Sequence, residues 1–315
     1  MYIRFDNKVA VITGAGKGLG RSYALELAAR GAKLVINDNG ETVDEKGKPV
    51  KFARLVVDQI TASGGEAVAN LNDVADEESA YGIIQSALDH YGKVDILINN
   101  AGFIRDKSFI KMTPEDFKSV MDVHLYGSYF TTRAAFPFMK KNNYGRIIMT
   151  TSTSGLYGNF GQANYDAAKL GLIGLMNALK EEGKKYNITV NTIAPLAVTR
   201  KTRPIYPKEI ADRLKRHYVA AMVAYLCSDK CTSTGSIITA GGGFYTRNQI
   251  VEGKGYIFGP DEEVTPEAIG DKFSAISDMD NAMTFENSSA AVLRIFDTIK
   301  TNGNSLNKNQ KEEGK

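Results

Sequence analysis

The stretch KVAVITGAGKGLGRSYALELAARG occupies residues 8–31 and combines three signals in order. Lys8 to Thr13 is a short apolar run typical of a buried strand, and Leu19 to Arg30 has the pattern of a helix that Gly31 ends. Gly14, Gly18 and Gly20 lie at their junction and let the backbone turn tightly and approach a pyrophosphate at the helix N-terminus. Because the glycines have a strand before them and a helix after them, the stretch predicts a dinucleotide-binding unit.

The alternation of strands and helices continues along the chain and places small or polar residues after successive strands. The strands predicted at Lys33–Asn37, Glu66–Leu71 and Val94–Ile98 are followed by Asp38, by Asp73 and by Asn99 to Gly102. Such an alternation indicates a doubly wound α/β (Rossmann) fold, a parallel sheet of about seven strands with helices on both faces. Ligands collect at the carboxyl edge of such a sheet, so the three strand ends predict one cofactor groove, with adenine near Asp73.

Asp38 predicts which nucleotide this groove binds. A carboxylate at this distance from the glycines accepts hydrogen bonds from the adenosine ribose and repels a 2′-phosphate, and residues 39–42 add no Arg or Lys. We therefore expect NAD rather than NADP. The alternative interpretation is a solvated loop aspartate.

The segment from Ser152 to Lys169 contains the candidate chemistry. In a helix, Tyr165 and Lys169 lie one turn apart on the same face, where an ammonium group would favour the phenolate and lower the pKa of the tyrosine. Ser152 follows a strand predicted at Gly145–Thr151, so its hydroxyl could meet the phenol and hold a carbonyl oxygen with it. The alternative for the pair is an ordinary exposed helical contact.

Two further features have both a functional and a structural interpretation. His124 lies midway along a long helix that begins at Thr113–Pro114, and it is either a packed histidine or a member of the site. The loop from Leu196 to Pro207 contains Arg200, Lys201 and Arg203, which could meet substrate phosphates or simply be solvated.

Composition excludes several classes of protein. The 315 residues suffice for one large or two small domains, and the net charge of +3 with interleaved signs does not indicate a nucleic-acid partner. No apolar run has the length of a membrane span and the first residues do not resemble a signal peptide, so we expect a soluble intracellular protein. Cys227 and Cys231 are interpreted as buried thiols, and no metal site is predicted.

Four of these motifs together resemble the short-chain dehydrogenase/reductase family: TGAGKGLG at 13–20, NNAG at 99–102, Ser152, and YDAAK at 165–169. The segment GRIIMTTSTSGLYGNFGQANYDAAKLGLIG, residues 145–174, is similar to the (3R)-hydroxyacyl-CoA dehydrogenase domains of type 2 peroxisomal multifunctional enzymes, which are also 17-beta-hydroxysteroid dehydrogenase type 4-like. The resemblance extends from residue 1 to about residue 300.

The resemblance implies roles for individual residues. Tyr165 would be the proton acceptor, Ser152 would hold the substrate oxygen, and Lys169 would bind the nicotinamide ribose. His124 stands where many members of the family have an asparagine of the proton relay, and the multifunctional enzymes also have histidine there. The resemblance also implies the remaining cofactor-binding residues, which are Leu19, Asp73, Val74, Asn100, Ala101, Gly102, Pro195, Ala197, Val198 and Thr199. Leu196 and Ala221 depart from the family pattern, in which a polar residue and a proline are common.

These observations predict an NAD-dependent enzyme that oxidises (3R)-3-hydroxyacyl-CoA to 3-oxoacyl-CoA in fatty-acid beta-oxidation. The alternatives are an NAD-dependent 17-beta-hydroxysteroid dehydrogenase, a 3-oxoacyl reductase, and a catalytically idle dinucleotide-binding interaction module. The resemblance implies a homodimer and a peroxisomal location, although the chain ends in Glu313–Gly314–Lys315 without a peroxisomal tripeptide, so a cytoplasmic location is the alternative.

The expected organisation has three parts. Residues 1–245 form the NAD-binding domain, 246–300 form an extension packed on it, and 301–315 form a disordered tail or linker. Hydratase and sterol-carrier-like domains, which often follow in such enzymes, are absent from the sequence given.

Overall fold

A computed structural model describes residues 2–44, 47–198, 203 and 206–312, with side chains up to residue 301. The chain divides into two compact units, residues Met1–Asn248 and Gln249–Lys315. The larger unit contains the glycine-rich stretch and the Tyr165–Lys169 pair, and it therefore contains the candidate site.

Eight strands of the larger unit form one sheet in the order β10-β9-β8-β7-β6-β1-β2-β5. All neighbours are parallel except β9 and β10. This is the predicted doubly wound α/β fold. The strands are β1 (Val9–Thr13), β2 (Lys33–Asn37), β5 (Glu66–Asn70), β6 (Ile96–Asn99), β7 (Gly145–Thr150), β8 (Ile188–Pro195), β9 (Ile237–Gly241) and β10 (Phe244–Asn248), while β3 (Glu41–Val43) and β4 (Pro49–Lys51) form a separate hairpin.

Helices cover both faces of the sheet because successive residues of each buried strand point to opposite faces. In β1, Ala10 and Ile12 join one hydrophobic core, and Val9 and Val11 join the other. The helices of the larger unit are α1 (Gly18–Ala28), α2 (Phe52–Ala62), α3 (Glu77–Tyr91), α4 (Pro114–Met121), α5 (Gly127–Lys141), α6 (Thr153–Tyr157), α7 (Ala163–Gly183), α8 (Lys208–Arg213) and α9 (Arg216–Cys227). Cys227 and Cys231 are free and buried, as predicted.

From the sequence, Ser236 to Ala240 is predicted as the last of about seven strands, and Gly241 to Gly243 as the break that ends the sheet, whereas the structure adds the antiparallel strand β10 after this break. Gly242 and Gly243 have φ values of +61° and +87°. They form the two-residue turn that joins β9 to β10, with Phe244 opposite Gly241. Two residues with positive φ suit the twist of a hairpin, and two consecutive glycines adopt them without strain. The break is therefore a turn within the sheet.

The long helix predicted to begin at Thr113–Pro114 is continuous to Lys141 but not uniform. A π-helical turn, Asp122–Tyr126, joins α4 to α5 and contains His124. Thr113 caps the start of α4, as the sequence indicated, and the structure adds a capping box with Asp116. Single π-turns inside α-helices are frequent at functional sites.

The smaller unit contains α10 (Pro266–Ile276) and α11 (Ser288–Glu312), and Glu252 pairs with Met283 in an isolated antiparallel bridge. Thr265 caps α10 through the backbone N–H of Ala268. The backbone of residues 301–312, for which the sequence indicated a disordered tail or linker, continues α11. Across the described residues, none of the helices combines the length and apolar character needed to cross a membrane.

Candidate active site

The glycine-rich turn after β1 is locked to the end of β6 by hydrogen bonds. The Thr13 hydroxyl accepts from the backbone N–H groups of Asn100 and Ala101, at 3.0 and 3.1 Å. In return, the Asn100 amide donates to the carbonyl oxygens of Thr13 and Gly14, at 3.0 and 3.1 Å. The two strand ends that the sequence predicted to share a groove are thus joined directly.

This turn fits a bound pyrophosphate. Gly14 has a φ of +61°, and a Cβ there would lie 2.7 Å from the Ala101 Cα. Gly18 has a φ of +60° and faces open space. Helix α1 starts at Gly18 with neither a side-chain cap nor an acidic residue in its first turn. A helix N-terminus without a cap leaves N–H groups for an anion, and Leu19 and Gly20 belong to that first turn.

Asp38 lies at the end of β2, beside the glycine-rich turn. Its carboxylate accepts from the backbone N–H groups of Gly16 and Gly40, both at 2.9 Å. A Cβ on Gly16 would lie 2.8 Å from the carboxylate, so the glycine allows this close approach. The carboxylate is therefore held at the sheet edge, with lone pairs left for further donors.

Asp73 and Val74 follow β5, the edge strand next to β2. The Asp73 carboxylate accepts from the backbone N–H of Ala75 at 2.9 Å and is exposed, while Val74 is buried. A Cβ on Gly127 would lie 2.9 Å from the Val74 side chain, so Gly127 gives Val74 its space. Both residues thus lie at the predicted edge of the sheet.

Ser152, Tyr165 and Lys169 come together after β7. The Ser152 Oγ caps α6 by accepting from the backbone N–H of Ser154 at 3.1 Å. The Ser152 side chain is also near enough to the Tyr165 phenol to lower the pKa of that phenol. The Lys169 Nζ lies 5.4 Å from the centre of the Tyr165 ring and donates to the Thr150 carbonyl oxygen. The structure thus brings these three predicted residues to one end of β7.

The electrostatics of this pair differ from the sequence-based expectation. Burial raises the pKa of the Tyr165 phenol, and Ser152 acts in the opposite direction. Burial also lowers the pKa of Lys169 to about 7, because its side chain is only 3% exposed. The expected lowering of the Tyr165 pKa by a neighbouring ammonium is not found, because desolvation is the largest influence on the phenol and Ser152, not Lys169, is the group that lowers its pKa.

His124 lies against Tyr165 and is fully packed. The ring centres are 5.2 Å apart in an edge-to-face arrangement. The His124 Nε2 lies 3.1 Å from the backbone nitrogen of Phe103 and 2.7 Å from its carbonyl oxygen, whereas Nδ1 has no hydrogen-bond partner among the described residues. Burial and the nearby Lys169 lower the pKa of His124 to about 3, so the ring is neutral at physiological pH. His124 thus lies beside Tyr165, and its Nε2 contacts the backbone of Phe103 after β6.

Gly102 makes this packing possible. A Cβ on Gly102 would lie 2.2 Å from Cε1 and 2.8 Å from Nδ1 of His124. Such distances do not occur between unbonded atoms, so only glycine fits here without a shift of the ring. The sequence indicated Gly102 as a cofactor-binding residue, and the structure adds its contact with His124.

Asn164 is a positioning residue that the sequence did not indicate. It is fully buried, its side-chain oxygen accepts from the backbone N–H of Tyr165 at 2.8 Å, and its amide donates to the carbonyl oxygens of Arg105 and Asp116. It therefore ties the start of α7 to the loop after β6 and to α4. These partners are far away in sequence, so no local pattern reveals the role.

The loop after β8 contains residues that the resemblance places near the nicotinamide. Pro195 ends the strand, Leu196 donates from its backbone to Ala240 at 2.8 Å, and Val198 donates from its backbone to Leu214 at 3.1 Å. Ala197 lies between these two contacts. Thr199, Arg200 and Lys201, which the sequence also indicated, lie outside the described residues.

Comparisons with known proteins agree with this geometry. Residues 8–208 match the family model described as short chain dehydrogenase. The chain is 47% identical over 306 residues to the peroxisomal multifunctional enzyme type 2 of Drosophila melanogaster, covering 96% of this chain and 51% of that protein. It is 49% identical over 277 residues to the peroxisomal hydratase-dehydrogenase-epimerase of Saccharomyces cerevisiae, covering 88% of this chain and 31% of that protein.

A solved structure shows the same similarity to a peroxisomal multifunctional enzyme. The full-length peroxisomal multifunctional enzyme type 2 from Drosophila melanogaster superposes with a TM-score of 0.81 at 42% identity, covering 95% of this chain and 50% of that one. The chain thus spans about half the length of the Drosophila relative, and it resembles the dehydrogenase domain of such enzymes. It belongs to the short-chain dehydrogenase family and is an oxidoreductase that acts on a CH–OH group.

Proposed function

We propose that the chain oxidises a (3R)-3-hydroxyacyl-CoA to the 3-oxoacyl-CoA with NAD, as a step of fatty-acid beta-oxidation. The observation that carries this proposal is the meeting of Ser152, Tyr165 and Lys169 at the end of β7, next to a glycine-rich turn that fits a pyrophosphate. The name of the yeast relative, a hydratase-dehydrogenase-epimerase, supports a dehydrogenase step. The whole family shares the chemistry of the site, so the substrate class rests on the resemblance of residues 145–174 to (3R)-hydroxyacyl-CoA dehydrogenase domains.

Ser152, Tyr165 and Lys169 have different roles in binding the substrate and moving its proton. Ser152 and Tyr165 hold the substrate oxygen, and Tyr165 takes the hydroxyl proton as the carbonyl forms. Ser152 lowers the pKa of Tyr165 and so favours the phenolate, which is the form that accepts this proton. Lys169, with a pKa of about 7, can exchange a proton at neutral pH and bind ribose hydroxyls. When bound, the cofactor supplies the hydride-accepting carbon.

His124 supports this arrangement by position. Its ring packs edge-on against Tyr165 and contacts the backbone of Phe103, so it connects the phenol to the end of β6. We propose that His124 takes the place of the relay asparagine of other family members by orienting Tyr165. A neutral ring with a pKa of about 3 is consistent with this role.

The preference for NAD over NADP rests on Asp38. Its carboxylate is held next to the glycine-rich turn by Gly16 and Gly40. A fixed negative charge at this edge accepts hydrogen bonds from ribose hydroxyls and repels a 2′-phosphate. Asp73 and Val74 would flank the adenine, and Asn100 to Gly102 with Pro195 to Thr199 would line the ribose and nicotinamide.

A homodimer and a peroxisomal location are further parts of the proposal. Helix α7 exposes Ala167, Leu170, Gly174 and Ala178 at helical spacing, and the long helix exposes Tyr126 and Tyr129. Small residues with one large apolar residue suit the close approach of two helices. Sedimentation velocity at increasing concentration should show a dimer; a monomer at every concentration would contradict it.

The names of both relatives contain the word peroxisomal and support the proposed peroxisomal location.

The Tyr165→Phe variant tests the reaction. It keeps the ring that packs on His124 and removes only the hydroxyl that takes the proton, so NADH formation from the hydroxyacyl-CoA should fall by at least about a hundredfold. Assays of the wild type with a hydroxyacyl-CoA and a hydroxysteroid, each with NAD and NADP, test substrate and cofactor. Wild-type activity in the variant, or a preference for the steroid, would refute the assignment.

A further inference from the structure

A basic cavity lies beside the loop that follows β8. It has a volume of about 630 Å³ and is lined by Val198, Arg203, Ala211, Asp212, Leu214, Lys215 and Arg216. Three of the seven lining residues are cationic and one is acidic. Its size is in the range of small-molecule sites.

The segment of sequence that supplies six of the seven lining residues carries a local excess of positive charge. Residues 200–216 contain seven Lys or Arg and two Asp or Glu, a net charge of +5, whereas the whole chain has a net charge of +3. The remainder of the chain is therefore slightly acidic. A local excess of this kind raises the concentration of anionic ligands near it.

Some cationic side chains of the cavity remain available to a ligand after the ion pairs within the protein are considered. Arg203 pairs with Asp212 at 2.7 Å, and the Arg216 guanidinium reaches the Val198 carbonyl oxygen at 3.4 Å. Within the described ranges, Lys215 forms no ion pair. Lys215 also precedes α9, which begins without a side-chain cap or an acid in its first turn. The cavity thus offers cationic donors that an anionic ligand would pair.

The position of the cavity connects it to the reaction. Val198, which lines it, belongs to the loop after β8, and the backbone of this loop is bonded to Leu214. β8 is the direct neighbour of β7, whose end carries the catalytic serine. A substrate with its reacting carbon at Ser152 and a long anionic extension could therefore place that extension at the cavity.

We propose that this cavity binds the phosphates at the adenosine end of the acyl-CoA, with Lys215 and Arg216 as the main donors. The inference rests on the proposed function. It assigns residues that would distinguish a coenzyme A thioester from a thioester on another thiol. A coenzyme A thioester has a 3′-phosphate and a pyrophosphate, whereas a steroid has neither. An acyl group on a carrier protein lacks the adenosine phosphates and would instead present a protein surface.

The test uses one 3-hydroxyacyl group on three thiols at saturating NAD. The thiols are coenzyme A, 3′-dephospho-coenzyme A and N-acetylcysteamine, which has no nucleotide. We expect kcat/KM of the wild type to decrease in this order. Lys215→Ala should lower the ratio of kcat/KM for the CoA thioester over that for the N-acetylcysteamine thioester about five- to tenfold, as expected for one exposed charge-assisted phosphate contact.

Lys208→Ala is the matched control, because Lys208 is an exposed lysine of the same segment that does not line the cavity. It removes the same charge and should leave the ratio unchanged. Adenosine 3′,5′-bisphosphate should compete with the CoA thioester at saturating NAD, and its inhibition constant should rise in Lys215→Ala but not in Lys208→Ala. This second measurement does not depend on the acyl group.

The outcomes separate the two proposals. If the wild type oxidises the CoA and N-acetylcysteamine thioesters with equal kcat/KM, or if both variants act alike, the phosphate site is refuted and the proposed function stands. The same acyl group on an acyl-carrier protein is assayed as a fourth substrate, and a preference for it that Lys215→Ala abolishes would refute the nucleotide site in favour of a protein-docking surface. If the wild type oxidises none of these thioesters, the proposed function fails, and the phosphate site fails with it.

Discussion

The Gly102→Ala substitution perturbs the packing that holds His124 against Tyr165. The new methyl carbon would lie 2.2 Å from Cε1 of His124 and 2.9 Å from its Nε2, and the ring is only 3% exposed. Either the ring or the backbone of residues 102–103 must move. A movement of the ring weakens its hydrogen bonding to Phe103 and its edge contact with Tyr165.

The expected cost follows from these contacts. Overpacking of a well-packed site costs about 1–3 kcal/mol, and one lost hydrogen bond costs about 1 kcal/mol. We expect a loss of about 2–3 kcal/mol in the free energy of unfolding, or a decrease of roughly 5–10 °C in Tm for a unit of this size. Displacement of the phenol should also lower kcat/KM, by up to about a hundredfold for a 1 Å shift.

A double-mutant cycle assigns this cost to the ring. His124→Ala removes the atoms that the methyl group would strike, so Gly102→Ala should cost less than about 0.5 kcal/mol in that background, within the error of additivity. Urea unfolding of the four proteins measures the coupling. Gly270→Ala is the control, because Gly270 lies in α10 with no heavy atom near its Cβ position, and it should be neutral or slightly stabilising. An equal cost of Gly102→Ala with and without His124 would refute the reasoning.

Two further predictions concern charge. Asp38→Ala removes the carboxylate that accepts from Gly16 and Gly40, so the ratio of kcat/KM for NAD over NADP should fall by about tenfold; an unchanged ratio would show that Asp38 does not select the nucleotide. Burial lowers the pKa of Lys169 from 10.5 to about 7. Between these values the unfolded chain binds a proton that the folded chain lacks, so stability from this group rises with pH. Lys169→Met should flatten that rise in urea unfolding between neutral and alkaline pH, and a variant with the wild-type slope would contradict the burial of the charge.

The cofactor groove could be predicted because its determinants are local. Thr13 to Gly20 form a turn between a strand and a helix, and Asp38 follows the next strand directly, so sequence order alone places both at the carboxyl edge of a parallel sheet. The hairpin of β10 was also accessible, because Gly242 and Gly243 separate two runs of strand-forming residues. Here the two glycines were interpreted as the end of the sheet instead of as its last turn.

The contacts of His124 could not be predicted in the same way. A π-turn differs from an α-turn by one residue, and nothing in the residues 122–126 themselves indicates it. The space for the ring comes from Gly102, and its hydrogen-bond partner is Phe103, more than twenty positions earlier in the chain. Asn164 shows the same limit, because it joins α7 to two carbonyl groups outside that helix.

The proximity of Tyr165 and Lys169 could also be predicted from their helical spacing. The burial of the two side chains could not be predicted in this way. The sequence suggested that an ammonium lowers the pKa of the phenol, whereas desolvation raises the pKa of Tyr165 and lowers that of Lys169. Both shifts favour the neutral forms, so the pair is not a fixed cation beside a phenolate. Because the pKa of Lys169 lies near 7, this residue can itself gain and lose a proton at neutral pH. Ser152, which lowers the pKa of Tyr165, is then the group that favours the phenolate, the form that accepts a proton in the proposed reaction.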